Sequence, residues 1–81
     1  MNYVIAVFKS RSETMSFYSI LGRYGVQSNV VPTPKEAGRT CGLSVRFSYN
    51  DFSHVKEILL MLRFQSFQGF YIIENNNFSR K

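Results

Sequence analysis

The sequence predicts a single α+β domain of βαββαβ order, with two helices on one face of a four-stranded antiparallel sheet. Three observations carry that prediction. The opening run Tyr3-Val4-Ile5-Ala6-Val7-Phe8 is apolar throughout and rich in β-formers. Two separate stretches repeat apolar residues at helical spacing: Phe17, Ile20, Leu21 and Tyr24, then Phe52, Val55, Leu59 and Leu62. Between them, Leu43-Ser44-Val45-Arg46-Phe47 alternates apolar and polar.

Each element has a local cause. An apolar first strand suits a central position covered on both faces. Ser10-Arg11-Ser12-Glu13 fits a capping box, with Ser10 capping free N–H groups and Glu13 reaching back to it. Gly25 ends the helix, because glycine takes the left-handed cap conformation cheaply. Residues 26–31 form a short strand whose polar Gln27, Ser28 and Asn29 suit a sheet edge. Pro32 and Pro34 stop its ladder, having no N–H to donate. Thr33-Pro34-Lys35-Glu36 then starts a one-turn helix, with Thr33 as cap, Glu36 closing the box and Gly38 as the stop.

In the third strand Leu43, Val45 and Phe47 face the core while Ser44 and Arg46 face out. Asn50 or Asp51 caps the second helix, whose apolar side includes Ile58. Gln68-Gly69 reads as a turn, and residues 70–73 as the last strand. The domain therefore spans residues 1–74, and 75–81, opening with Asn75-Asn76-Asn77, reads as a disordered polar tail. The arrangement is ferredoxin-like, with the one-turn helix placed before the Cys41-Gly42 step. The first and last strands carry apolar residues on both parities, yet two helices cover one face. That predicts a second apolar face open to a second copy or a partner.

Composition narrows the function. The chain has 81 residues, eight Phe and five Tyr. Its ten basic residues against five acidic ones give a formal charge of +5, which favours anionic partners, though the basic residues form no block. No apolar run approaches the roughly 18 residues that span a bilayer. The start lacks a basic leader and a small-residue cleavage site, which predicts a cytoplasmic protein with reduced thiols. One Cys and one His exclude an internal disulfide and a Cys-based zinc site, and no cofactor fingerprint is present.

Cys41 is the distinctive group. Lys35, Arg39 and Arg46 are near it in sequence, and cations stabilise the nucleophilic thiolate. Gly42 beside it permits close approach of a backbone or substrate. Spacing alone favours a buried cysteine packing as a small hydrophobe. Pairing with His54 would need the first turn of the second helix to meet Cys41.

The segment Val31-Pro32-Thr33-Pro34-Lys35-Glu36, followed by Thr40-Cys41-Gly42-Leu43-Ser44-Val45-Arg46-Phe47, resembles the core of the selenium/sulfur carrier protein-like family, a group of small bacterial domains. The opening Tyr3-Val4-Ile5-Ala6 and the aliphatic second helix fit as well, so the resemblance covers about residues 3–73. Ala37-Gly38-Arg39 departs from it, where small Ser-like residues are expected. The resemblance implies that Cys41 attacks a donor persulfide or selenide species. It then holds the atom as a persulfide or perselenide and passes it to an acceptor thiol. Lys35 and Arg39 would lower the thiol pKa, with Thr40 and nearby N–H groups steadying the anion. The partners implied are a sulfur or selenium donor protein and an acceptor thiol protein, and the protein is a carrier more than an enzyme. The competing reading is a regulatory or RNA-binding module using the sheet face, since RNA-recognition domains share the βαββαβ order. Against it, Gly42-Leu43-Ser44-Val45-Arg46-Phe47 is not the Gly-aromatic-Gly-aromatic pattern that presents rings to bases.

Overall fold

The computed structural model describes residues 2–37, 42–74 and 77–80, without the side chains of Glu36 and of 77–80. The elements are β1 (Tyr3–Phe8), α1 (Arg11–Arg23), β2 (Ser28–Pro32), a 3-10 turn (Lys35–Ala37) and β3 (Leu43–Ser48). A second 3-10 turn (Tyr49–Asp51), α2 (Phe52–Leu60), β4 (Phe67–Glu74) and β5 (Asn77–Arg80) follow. The sheet order is β2-β3-β1-β4-β5, and every pairing is antiparallel. Its first four strands are the predicted βαββαβ sheet. The stretch read as a polar tail supplies β5, whose residues pair with β4 from Tyr71↔Arg80 to Glu74↔Asn77.

Val4, Ala6 and Phe8 of β1 meet Val45 and Phe47 of β3 and Phe70 and Ile72 of β4 beneath the two helices. Phe17 and Leu21 come down from α1, and Phe52, Val55 and Ile58 from α2. Aromatic rings fill much of this layer. Phe8 lies 5.2–5.4 Å from the ring centroids of Phe17, Phe64 and Phe67, and Phe67 continues the chain of contacts to Phe70 at 5.0 Å. Tilted and edge-on contacts of this kind add to the area they bury.

The end of α1 is a Schellman cap. Val26 N–H reaches Leu21 O at 2.9 Å, Gly25 N–H reaches Gly22 O at 3.1 Å, and Gly25 has φ +77°. Val26 and Leu21 also pack in the same core, so the cap sets the angle at which the chain enters β2.

Four local expectations are corrected. Glu13 does not reach back to Ser10. Ser10 Oγ accepts from Glu13 N–H at 3.3 Å, but the Glu13 carboxylate turns to residues 65 and 66 ahead of β4. Asp51 is the N-cap residue of α2 as read, but its side chain makes no capping hydrogen bond; the side-chain cap in this stretch is Ser48, which accepts Asn50 N–H at 3.2 Å at the start of the preceding 3-10 turn. Gln68-Gly69 is no turn. It lies inside β4 where the pairing with β1 slips between Val7 and Phe8, so the glycine marks a β-bulge. Ser44 does not face solvent: it is fully buried. The physical reason for this last difference lies on the second face of the sheet.

Ile5 and Val7 point to the side away from the helices, and both are buried, with Ala37 packed on them and Val31, Tyr71 and Ile73 beside. The 3-10 turn thus lies across that face. The apolar surface expected to await a partner is in part covered by the chain's own residues.

Candidate functional site

The sequence singles out the stretch from Pro-Thr-Pro to Cys-Gly, and the structure fixes both of its ends. Pro32 and Leu43 form the last rung of the β2–β3 ladder; β2 is an edge strand, where a residue with no N–H is tolerated. Beyond that rung Thr33 N–H donates to Gly42 O at 2.8 Å. The Thr33 and Ser44 hydroxyls share a hydrogen bond of 2.6 Å. Ala37 N–H closes the 3-10 turn on Pro34 O at 3.0 Å, and the Ala37 methyl is buried against β1. From the helix side, the buried Thr14 hydroxyl lies 3.4 Å from Leu43 O while also donating to Ser10 O at 3.0 Å. The start of β3 is held from both faces of the sheet.

This accounts for two readings that failed. Thr33 is not the cap of a helix; its hydroxyl is committed to Ser44. Ser44 is inside because the returning chain covers it, and that covering is a contact between residues eleven apart. A Thr and a Ser at opposite ends of one excursion were the available signal.

Gly42, bonded directly to Cys41, is exposed and has φ +94°. A Cβ there would meet nothing within 4 Å, so the glycine answers to backbone conformation and not to crowding. Lys35 is exposed on the 3-10 turn. Cys41, Arg39 and Thr40 lie outside the described residues. Arg46 stands four residues beyond Gly42, about 13 Å along an extended strand. It pairs with Ile5 and Asn29, and its guanidinium lies over the Tyr3 ring at 4.7 Å. His54 is exposed on α2, in the layer on the other side of the sheet from the 3-10 turn. Among the described residues no cluster of three or more His, Cys, Asp or Glu is placed to hold a metal ion. No helix among them is long and apolar enough to cross a membrane.

These features define a class: a small α+β domain whose 3-10 turn lies on the far side of its sheet from the helices, with Thr33 and Gly42 hydrogen-bonded at the two ends of the stretch that contains it. The model of the family described as "Putative Se/S carrier protein-like" matches residues 3–65, and the chain belongs to that family. The match runs from β1 to the turn before β4 and contains the whole Pro-Thr-Pro to Cys-Gly segment. No curated protein and no solved structure matches the chain.

Proposed function

We propose that this protein carries sulfur or selenium on Cys41. The observation that carries the reading is family membership over a segment whose two ends are clamped together, Thr33 N–H to Gly42 O, directly beside the cysteine. A carrier thiol needs a fixed approach for two different partners in turn, and a clamped loop base next to an exposed glycine favours that.

The chemistry is a pair of displacements. Cys41 thiolate attacks the outer sulfur of a donor persulfide. A new S–S bond forms on Cys41, the donor's S–S bond breaks, and the donor leaves as a thiolate. An acceptor thiolate then attacks the outer sulfur, and Cys41 leaves as a thiolate. The same exchange on a donor selenopersulfide moves selenium. Neither step needs an external oxidant, because the transferred atom is already at the right oxidation level. Lys35 and Arg39 supply positive charge near Cys41 in the chain, Thr40 and Gly42 flank it, and the donor and acceptor are thiol proteins. Arg46, stacked on Tyr3 further along β3, supports the sheet beneath.

The test is the pH dependence of Cys41 alkylation in the folded protein, with Cys41→Ser as blank. Mass spectrometry follows after exposure to a small persulfide donor. A free thiol titrates near 8.5 and activated thiols at roughly 3.5–7.5. A midpoint below about 7.5 together with gain of one sulfur atom, absent in Cys41→Ser, is the expected result. Labelling only after denaturation refutes the carrier reading. A module that only binds, RNA included, would be indifferent to Cys41→Ser and would weaken steeply with salt.

A further inference from the structure

The far end of β3 holds a second feature that the thiol chemistry does not use. A cleft of about 300 Å³ is lined by Tyr3, Gln27, Asn29, Arg46, Ser48 and Asp51, together with Phe47. Its size is at the small end of the range that holds small-molecule ligands. Stacking on Tyr3 fixes the plane of the Arg46 guanidinium without consuming its N–H donors. The Arg46 Nε is buried and has no acceptor. Asp51 stands at the N-cap of α2, yet its carboxylate makes no capping hydrogen bond. Among the described residues, Arg46 and Asp51 line one cleft without forming an ion pair with each other. Ser48 spends an acceptor lone pair on Asn50 N–H, a bond that does not engage its hydroxyl hydrogen.

A guanidinium and a carboxylate in one small cleft, with two amides and a hydroxyl around them, match a ligand that carries both charges. An inorganic dianion would meet Asp51, and a simple cation would meet Arg46. We propose that this cleft binds a free α-amino acid, its carboxylate on the Arg46 fork and its ammonium on Asp51. Gln27 and Asn29 supply neutral donors and acceptors along the wall formed by β2 and the residue before it. The inference does not rest on Cys41, which adjoins the opposite end of the strand.

The experiment is an NMR titration of the ¹⁵N-labelled full chain with L-alanine and L-serine, set against acetate, methylammonium and inorganic phosphate. The expected result is saturable shifts of the Tyr3, Asn29, Arg46 and Ser48 amides by the amino acids, with Kd of about 1 mM or below. Acetate, methylammonium and phosphate should each bind at least about tenfold more weakly. Arg46→Lys, which loses the planar fork, and Asp51→Asn should both weaken amino-acid binding, while Cys41→Ser should not. Dispersed spectra certify folding of each variant; should Arg46→Lys fail to fold, Asp51→Asn decides. Absence of saturable shifts, phosphate or acetate binding as tightly as the amino acids, or unchanged binding in Asp51→Asn overturns the proposal. Loss of binding in Cys41→Ser would overturn the placement of the site.

Discussion

Glu13 and Ser66, separated by most of the chain, share two hydrogen bonds: one carboxylate oxygen accepts both the Ser66 N–H at 2.8 Å and the Ser66 hydroxyl at 2.5 Å. The other oxygen accepts Gln65 N–H at 3.1 Å. Ser66 Oγ in turn accepts Ser10 N–H at 3.1 Å. The first turn of α1 is thereby bonded to the turn that feeds β4. Hydrogen bonds to the ionised form, led by the Ser66 hydroxyl and then its N–H, hold the Glu13 pKa below the ordinary 4.5 against a smaller opposing effect of desolvation. A carboxyl whose folded pKa is depressed adds stability that is fully present above its unfolded value and disappears as pH falls through its folded value. Replacing it with Glu13→Gln should therefore lower Tm at neutral pH, and the gap between the two proteins should close as pH falls below the ordinary 4.5 and through the lowered folded value. Thermal unfolding of both proteins between neutral and acid pH checks this; a gap independent of pH would remove the charge from the explanation.

Phe8 is the hinge of the aromatic layer. Its ring is fully buried and touches Phe17 from α1, Phe64 from the turn and Phe67 from β4. Phe8→Ala removes these contacts and leaves a cavity that three rings cannot fill without moving, a cost of about 3–5 kcal/mol. Domains of this size have roughly 5–15 kcal/mol in all, often near the lower end. Denaturant unfolding of Phe8→Ala should show a midpoint far below the wild type, or no folded baseline. Lys56→Ala, which loses only a surface cation over the Phe52 ring at 5.1 Å, should shift the midpoint little.

What the sequence made legible follows the reach of each signal. The apolar positions Phe17 and Leu21 of α1, Phe52 and Val55 of α2, Val45 and Phe47 of β3, and the glycine stop at Gly25 depend on neighbours within a few residues, and those readings match the structure. The Glu13 box failed because a competing partner, Ser66, comes from 53 residues away. Ser44 looked solvent-facing because its strand alternates, and strand alternation is blind to a loop returning over the other face. The Gln68-Gly69 pair signals a turn and a bulge equally well, and only the pairing with Val7 and Phe8 decides between them. At the candidate site, the Pro-Thr-Pro and Cys-Gly motifs were legible, and both lie within the family match. The clamp that holds their segment was not, since Thr33, Ala37 and Ser44 are individually ordinary residues.

Gly25→Ala isolates the cost of the helix stop. The residue sits at φ +77°, and an added Cβ would touch nothing within 4 Å, so crowding plays no part. A non-glycine residue in the left-handed region costs roughly 1–2 kcal/mol. Gly25→Asn should cost less, because asparagine tolerates that region. Equilibrium unfolding of the two variants should rank wild type above Asn above Ala. An Ala variant as stable as wild type would mean that the cap relaxes to another conformation.

The Thr33–Ser44 bond offers the sharpest link between fold and site. Thr33→Val keeps the shape of the side chain and deletes the hydroxyl, leaving buried Ser44 without its 2.6 Å partner. An unsatisfied buried hydroxyl costs about 1–3 kcal/mol, whereas removing both partners is close to neutral. Thr33→Val should therefore destabilise, and Thr33→Val with Ser44→Ala should recover most of the loss, giving a coupling that a double-mutant cycle measures. The same single variant loosens the residue that clamps Gly42, and so should alter the rate of Cys41 alkylation in the folded state. The double variant discriminates further: if its stability returns while the alkylation rate stays changed, the Thr33 hydroxyl positions the cysteine segment beyond holding the fold together. If rate and stability return together, the bond serves packing alone, and positioning falls to the Thr33 N–H and Gly42 carbonyl, which neither substitution removes.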